Sequence, residues 1–171
     1  MTYRPASDSK TEKNICLICA LTAVVLFFVS GFVSRFAFGY QITALFIAVV
    51  SVEMYMKYVG SDYVYEASDK SLKVYKINGK KSLCVCSLDY AASLSRVVSS
   101  DEYLGNKDKY PKTNFNVNFA KNLAPKKYCV YFFEFNEKKS MMKFEPDKAF
   151  ADYVNEKIDN AMKNKDESVN V

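Results

Sequence analysis

Cys84-x-Cys86 is the pair of side chains in this 171-residue sequence whose type and spacing come closest to metal or redox chemistry. Two thiols at that spacing on a strand share a face and would furnish half of a tetrahedral zinc site. The other half does not follow: no third and fourth ligand comes at zinc-like spacing, and Cys16 and Cys19 lie inside an apolar run. Small thiols packed in a core are the expectation, and an odd total of five cysteines gives no disulfide framework. The chain has no histidine, which removes the commonest general base and metal ligand. Asp89, Asp101, Glu102 and Asp108 cluster around one polar segment, where acids are ordinarily solvated. Five glycines form no phosphate-binding loop, and 13 Tyr with 13 Phe suit membrane belts and a packed core better than base stacking. No enzyme, metal or cofactor is expected. What remains is lysine chemistry: Lys57, Lys80 and Lys81 are point charges suited to anionic lipid headgroups.

Those lysines are positioned by the stretch 15–59. Residues 15–33 form an uncharged run of 19, twelve of them Leu, Ile, Val or Phe. As a helix it would span about 28 Å, close to a bilayer's hydrocarbon thickness, and those twelve side chains contribute about −4 to −7 kcal/mol to insertion. Residues 36–52 form a second, weaker apolar segment containing Gly39, Gln41, Thr43 and Ser51, and helix is expected to continue to Val59. Only Ser34 and Arg35 stand clearly between the two, so the prediction is a transmembrane helical hairpin. Gly31, Gly39, Thr43 and Ser51 are small enough to allow close helix packing. A cleaved signal peptide is the competing reading, with Ala37 and Gly39 at a small-residue cut site. The length of the run and the second apolar segment behind it argue against cleavage.

Orientation follows from charge. Arg4, Lys10 and Lys13 precede the hairpin, Lys57, Lys70 and Lys73 follow it, and Arg35 alone marks the turn. Excess Lys and Arg on the side of both termini predicts a two-span protein of the cell membrane with both ends in the cytoplasm. Beyond the hairpin, 19 basic residues meet 16 acidic ones, too even a balance for a nucleic-acid surface.

Residues 60–162 read as one cytoplasmic domain, between flexible tails at 1–14 and 163–171. Strands are expected at 63–67, 72–77, 82–88, 93–98, 113–119, 128–135 and 140–144, with Asn78-Gly79 a strong hairpin signal. Phe115, Val117 and Phe119 alternate with asparagines, giving a half-buried strand, whereas 128–135 is apolar on both faces and so central. Residues 99–112 form a polar loop. The last element is a helix with Pro146 in its first turn, Asp147 near the positive end of its dipole, and an apolar stripe of Phe150, Tyr153, Val154, Ile158 and Ala161.

Seven strands broken after the fourth and closed by one amphipathic helix form an α+β pattern. The pieces YVYEASDKSLKVYKINGKKSLCVCSLD and KSMMKFEPDKAFADYVNEKI resemble bacterial pleckstrin-homology-like (PH-like) domains of small membrane proteins. The resemblance covers roughly residues 62–160. It implies a bent, seven-stranded barrel capped by the C-terminal α-helix, and a platform for lipid headgroups or a protein partner rather than an enzyme. In lipid-binding members the basic site lies at the barrel end bearing the first loop, here Ser68–Ser71 with Lys70 and nearby Lys73. The zigzag of strands from the membrane carries that loop roughly 15–20 Å away and returns the Asn78–Lys81 turn toward the bilayer, so Lys80 and Lys81, with Lys57, are the predicted headgroup contacts. The alternative function is a regulatory subunit of a membrane transporter, or of a homo-oligomeric assembly, built through the hairpin.

Overall fold

The computed structural model describes residues 1–6, 10–33 and 36–169. The chain divides into two compact units, Ser7–Asp62 and a second made of Met1–Ala6 together with Tyr63–Val171. The helical unit is therefore an insertion within the other.

That unit holds helix α1 (Lys10–Ser30) and helix α2 (Ala37–Met54), the latter running on as a π-helical turn over Tyr55–Val59. Gly60 closes the turn by donating its N–H to the Tyr55 carbonyl at 2.8 Å. Both helices are long and apolar enough to cross a membrane. A core helix of a soluble protein would be mostly buried; here only 17% and 11% of the apolar windows are. Apart from Glu12 in the first turn of α1, what is buried on the two helices is small: Cys16, Ala23 and Ser30 on α1, Ala44 and Ser51 on α2, each of these sets spaced by seven as in a coiled-coil seam. Ser51 Oγ donates to the Cys16 carbonyl at 2.9 Å and ties the helices. Of the four small residues expected to mediate packing, Ser51 does so; Thr43 Oγ1 turns back on the Gly39 carbonyl of its own helix at 2.9 Å. The turn residues Ser34 and Arg35 lie outside the described residues.

The second unit is α+β. Its described residues form eight strands in two sheets of four: β1 (Thr2–Tyr3), β2 (Asp62–Ala67), β3 (Ser71–Asn78) and β4 (Lys81–Asp89) in order 1-2-3-4, and β5 (Val98–Ser99), β6 (Phe115–Asn118), β7 (Cys129–Phe135) and β8 (Lys138–Phe144) in order 5-7-8-6. Seven were expected. The additional strand is β1: Thr2 pairs with Glu66 and Tyr3 with Tyr65, so the segment expected as a flexible tail completes the first sheet. β6 runs parallel to β8, as an edge. Its alternation predicted a half-buried strand, yet Phe115 is exposed; Val117 and Phe119 alone reach the core. The strand expected at 93–98 shrinks to a Ser93–Phe133 bridge and β5, because Tyr90–Ala92 winds into a 3₁₀ turn capped by Asp89.

One core joins the sheets and helix α4 (Lys148–Val169): Tyr65, Leu72, Val74 and Leu88 meet Tyr131, Phe133, Met142 and Phe144, and Phe150, Val154 and Ile158 plug the assembly. Tyr153 and Ala161 pack at its margin, so the predicted stripe is the buried face. The helix cap is Asp147, whose Oδ1 accepts the Phe150 N–H at 2.8 Å, and Pro146 precedes the helix instead of opening it. The helix continues through most of the expected C-terminal tail to Val169; Asn170 and Val171 lie outside the described residues. β7 is central, as its two apolar faces require. Val130 and Phe132 pack on its far side beneath Tyr103 and Tyr110, the last stacked on Phe132 at 5.2 Å. These two tyrosines turn the expected polar loop at 99–112 into a docked segment with helix α3 (Ser100–Gly105), capped by Ser99 Oγ.

Candidate functional site

Lys80 and Lys81 stand on the β3–β4 hairpin, whose loop is Gly79–Lys80 between paired Asn78 and Lys81. Gly79 has φ +60 and Lys80 lacks a positive φ, the pattern of a II′ turn, which matches the twist of the flanking strands. Both lysines are exposed. In an antiparallel 1-2-3-4 sheet the β3–β4 turn shares an end with the start of β2 and the finish of β1. The finish of β1 and the start of β2 therefore lie at the end of the sheet that carries Lys80 and Lys81. Lys57 belongs to the helical unit. It sits in the π turn with its ammonium 5.0 Å from the centroid of the Tyr58 ring.

The opposite end of this sheet is closed by α4. Asn155 clamps the backbone of Val97, its Oδ1 accepting the N–H at 2.7 Å and its Nδ2 donating to the carbonyl at 3.1 Å. Arg96 makes a bidentate pair with Asp159 at 2.7 and 2.6 Å. Lys157 reaches Asp69 in the β2–β3 loop at 2.7 Å, and its ammonium holds that carboxyl below the usual range. The Ser68–Ser71 loop, which the resemblance makes the lipid site, is turned in on itself by Ser68–Ser71 hydrogen bonds, and its acid Asp69 is paired with α4.

Cys84 and Cys86 do not converge. A bulge between Val74 and Tyr75 pairs Cys86 with Val74 and Cys84 with Tyr75, and these neighbours on β3 face opposite ways. The shared face expected from a regular strand is lost. Cys84 is exposed, while Cys86 packs on the core, where burial pushes its thiol up to about 11. No group of three or more metal-competent side chains occurs among the described residues. The carboxylates serve locally: Asp89 caps a turn, and Glu102 accepts the Tyr110 hydroxyl at 3.2 Å.

Sequence reasoning missed one constellation altogether. The Tyr3 ring lies 6.3 Å from that of Tyr65 and 5.8 Å from that of Phe150 (centroids), with Pro5 buried beyond it. Tyr65 donates its hydroxyl to the Phe119 carbonyl at 2.9 Å and accepts the Glu145 N–H at 3.2 Å. Glu145 is buried and receives the Asn122 N–H at 2.9 Å and Nδ2 at 2.6 Å, yet burial dominates and raises its carboxyl above the ordinary range. A two-residue strand has no measurable periodicity, so nothing in residues 1–6 advertised the slot. Comparison with protein-family models, curated proteins and solved structures finds no match, so the site rests on its own geometry.

Proposed function

We propose that this chain is a membrane-anchored, non-catalytic PH-like interaction module, held by two spans, with its domain and both termini in the cytoplasm. One observation carries the reading: β1, before the helices, pairs with β2, after them. Segments in one sheet occupy one compartment, so an inserted helical pair that enters a membrane must return to the side it left. The same pairing speaks against cleavage after the first span, which would strip the sheet of a strand. The distribution of Lys and Arg selects the cytoplasm.

The PH-like reading draws support from strand order. β1–β4 followed by β5, β7 and β8 make seven antiparallel strands in a four-plus-three arrangement ahead of a plugging helix, with β6 an added parallel edge. Its business end is then the one bearing Lys80 and Lys81, which together with Lys57 contact anionic headgroups while the domain engages a protein partner. Each lysine near such a surface contributes about 1 kcal/mol. Full-length protein carrying Lys80→Gln and Lys81→Gln, reconstituted in nanodiscs with and without phosphatidylserine, tests this. Amide-exchange protection of residues 78–82 that depends on anionic lipid in the wild type and vanishes in the variant is expected; protection identical in both lipids overturns the lipid contact.

A groove on the helical unit, lined by Phe27, Phe28, Phe38, Leu45 and the amide of Gln41, favours the second reading, a hairpin that packs on a second copy in the membrane. Mass measurement in mild detergent separates the two: a monomer excludes the homo-oligomer.

A further inference from the structure

β1 contributes two residues to a sheet whose next strand offers six. It is held by a hydrogen-bonded Met1–Ala67 pair at 2.7 and 2.8 Å, by the Thr2–Glu66 and Tyr3–Tyr65 pairing, and by one ring, Tyr3, in the slot between Tyr65 and Phe150. We propose that the edge of β2 is a strand-docking groove, filled in cis by residues 1–6, that also accepts in trans an extended peptide bearing an aromatic residue followed by a basic one.

Three features define the ligand. The edge supplies main-chain hydrogen bonds for an antiparallel strand, the commonest way an exposed sheet edge takes a peptide. The Tyr65–Phe150 slot accepts one planar ring. The rim is acidic: Glu66 lies in β2, and Asp147 caps the helix whose Phe150 ring stands 5.8 Å from that of Tyr3. That negative rim matches the Tyr3-Arg4 order of the cis segment and selects a basic residue after the aromatic one. Residues 1–6 and β2 belong to one chain and one compact unit, so the cis segment competes as an intramolecular strand. A trans peptide gains access when β1 lifts. The inference stands whether or not the helices cross a bilayer.

The probe is a fluorescent Met-Thr-Tyr-Arg-Pro-Ala peptide titrated into full-length protein in detergent. Tyr3→Ala should bind it at least tenfold more tightly than wild type, and a probe with its Tyr replaced by Ala should not bind. Thr2 and Glu66 form a non-hydrogen-bonded pair, since Met1 and Ala67 beside them exchange both bonds, and such pairs bring Cβ atoms closest. Thr2→Cys with Glu66→Cys, on a Cys84→Ser background, should therefore lock β1 on oxidation and lower peptide affinity at least tenfold relative to the reduced protein. Equal binding by wild type and Tyr3→Ala, absence of binding to every variant, or indifference to oxidation overturns the proposal.

Discussion

Asn155→Ala puts the closure of the domain by α4 to a quantitative test. The Asn155 amide is the hydrogen-bond partner of both the N–H and the carbonyl of Val97, a residue that is itself buried. Truncation leaves two backbone groups without partners in a site that water reaches poorly. A buried unsatisfied group costs about 1–3 kcal/mol, so partial relaxation puts the loss at about 2–4 kcal/mol. Against a typical domain stability of about 5–15 kcal/mol that is a large fraction, and for roughly 110 residues it lowers Tm by about 10–20 °C. Arg96→Ala is the internal control. Its bidentate pair with Asp159 is geometrically better but exposed, so water replaces it and the midpoint should scarcely move. Thermal unfolding of the full-length protein in detergent, followed by near-ultraviolet circular dichroism of the tyrosine-rich core, reads both. A loss below about 0.5 kcal/mol for Asn155→Ala, or a larger loss for Arg96→Ala, would refute the reasoning that burial of the acceptor, not the charge of the pair, holds α4 in place.

Other consequences are direct. Gly79→Val forces a β-branched residue to φ +60 and should cost at least about 1–2 kcal/mol in chemical denaturation, with no loss expected if the turn is not left-handed there. Phe150→Ala removes the ring that plugs the core beneath Tyr3 and Tyr65, with an expected loss of about 3–5 kcal/mol. Ser51→Ala removes the bond to the Cys16 carbonyl and should weaken the helical pair by only about 0.6 kcal/mol, measured by steric trapping. Glu145 has a folded-state pKa above its ordinary value of 4.5, so the native state holds the proton more tightly than the unfolded chain. Its contribution is fully present below that ordinary value and is lost as pH rises through the elevated one; Glu145→Gln should flatten this part of the pH–stability curve.

The parts of the architecture that sequence made legible are those in which one physical signal repeats. Nineteen uncharged residues leave little alternative to an apolar helix, and the Phe150–Val154–Ile158 stripe names its buried face. The Asn78-Gly79 hairpin was legible because only glycine takes a positive φ without cost. β1 was not, since two residues carry no period and its partner lies across an inserted helical pair. The bulge opposite Val74 and Tyr75 was equally silent, and it alone separates Cys84 from Cys86. The docking of 99–112 depended on Tyr103 and Tyr110 finding the outer face of β7, a tertiary contact that a polar, glycine-bearing segment does not reveal.

On the proposed topology, the segment before the helices and the domain after them share one side of a membrane. Cys84, exposed on β4, is a native reporter for the domain, and exposed Thr2 accepts a reporter cysteine for β1. Membrane-impermeant maleimide applied to intact cells expressing the Thr2→Cys chain should label neither position, and should label both once the cells are permeabilised. Labelling of one position and not the other in intact cells would contradict it.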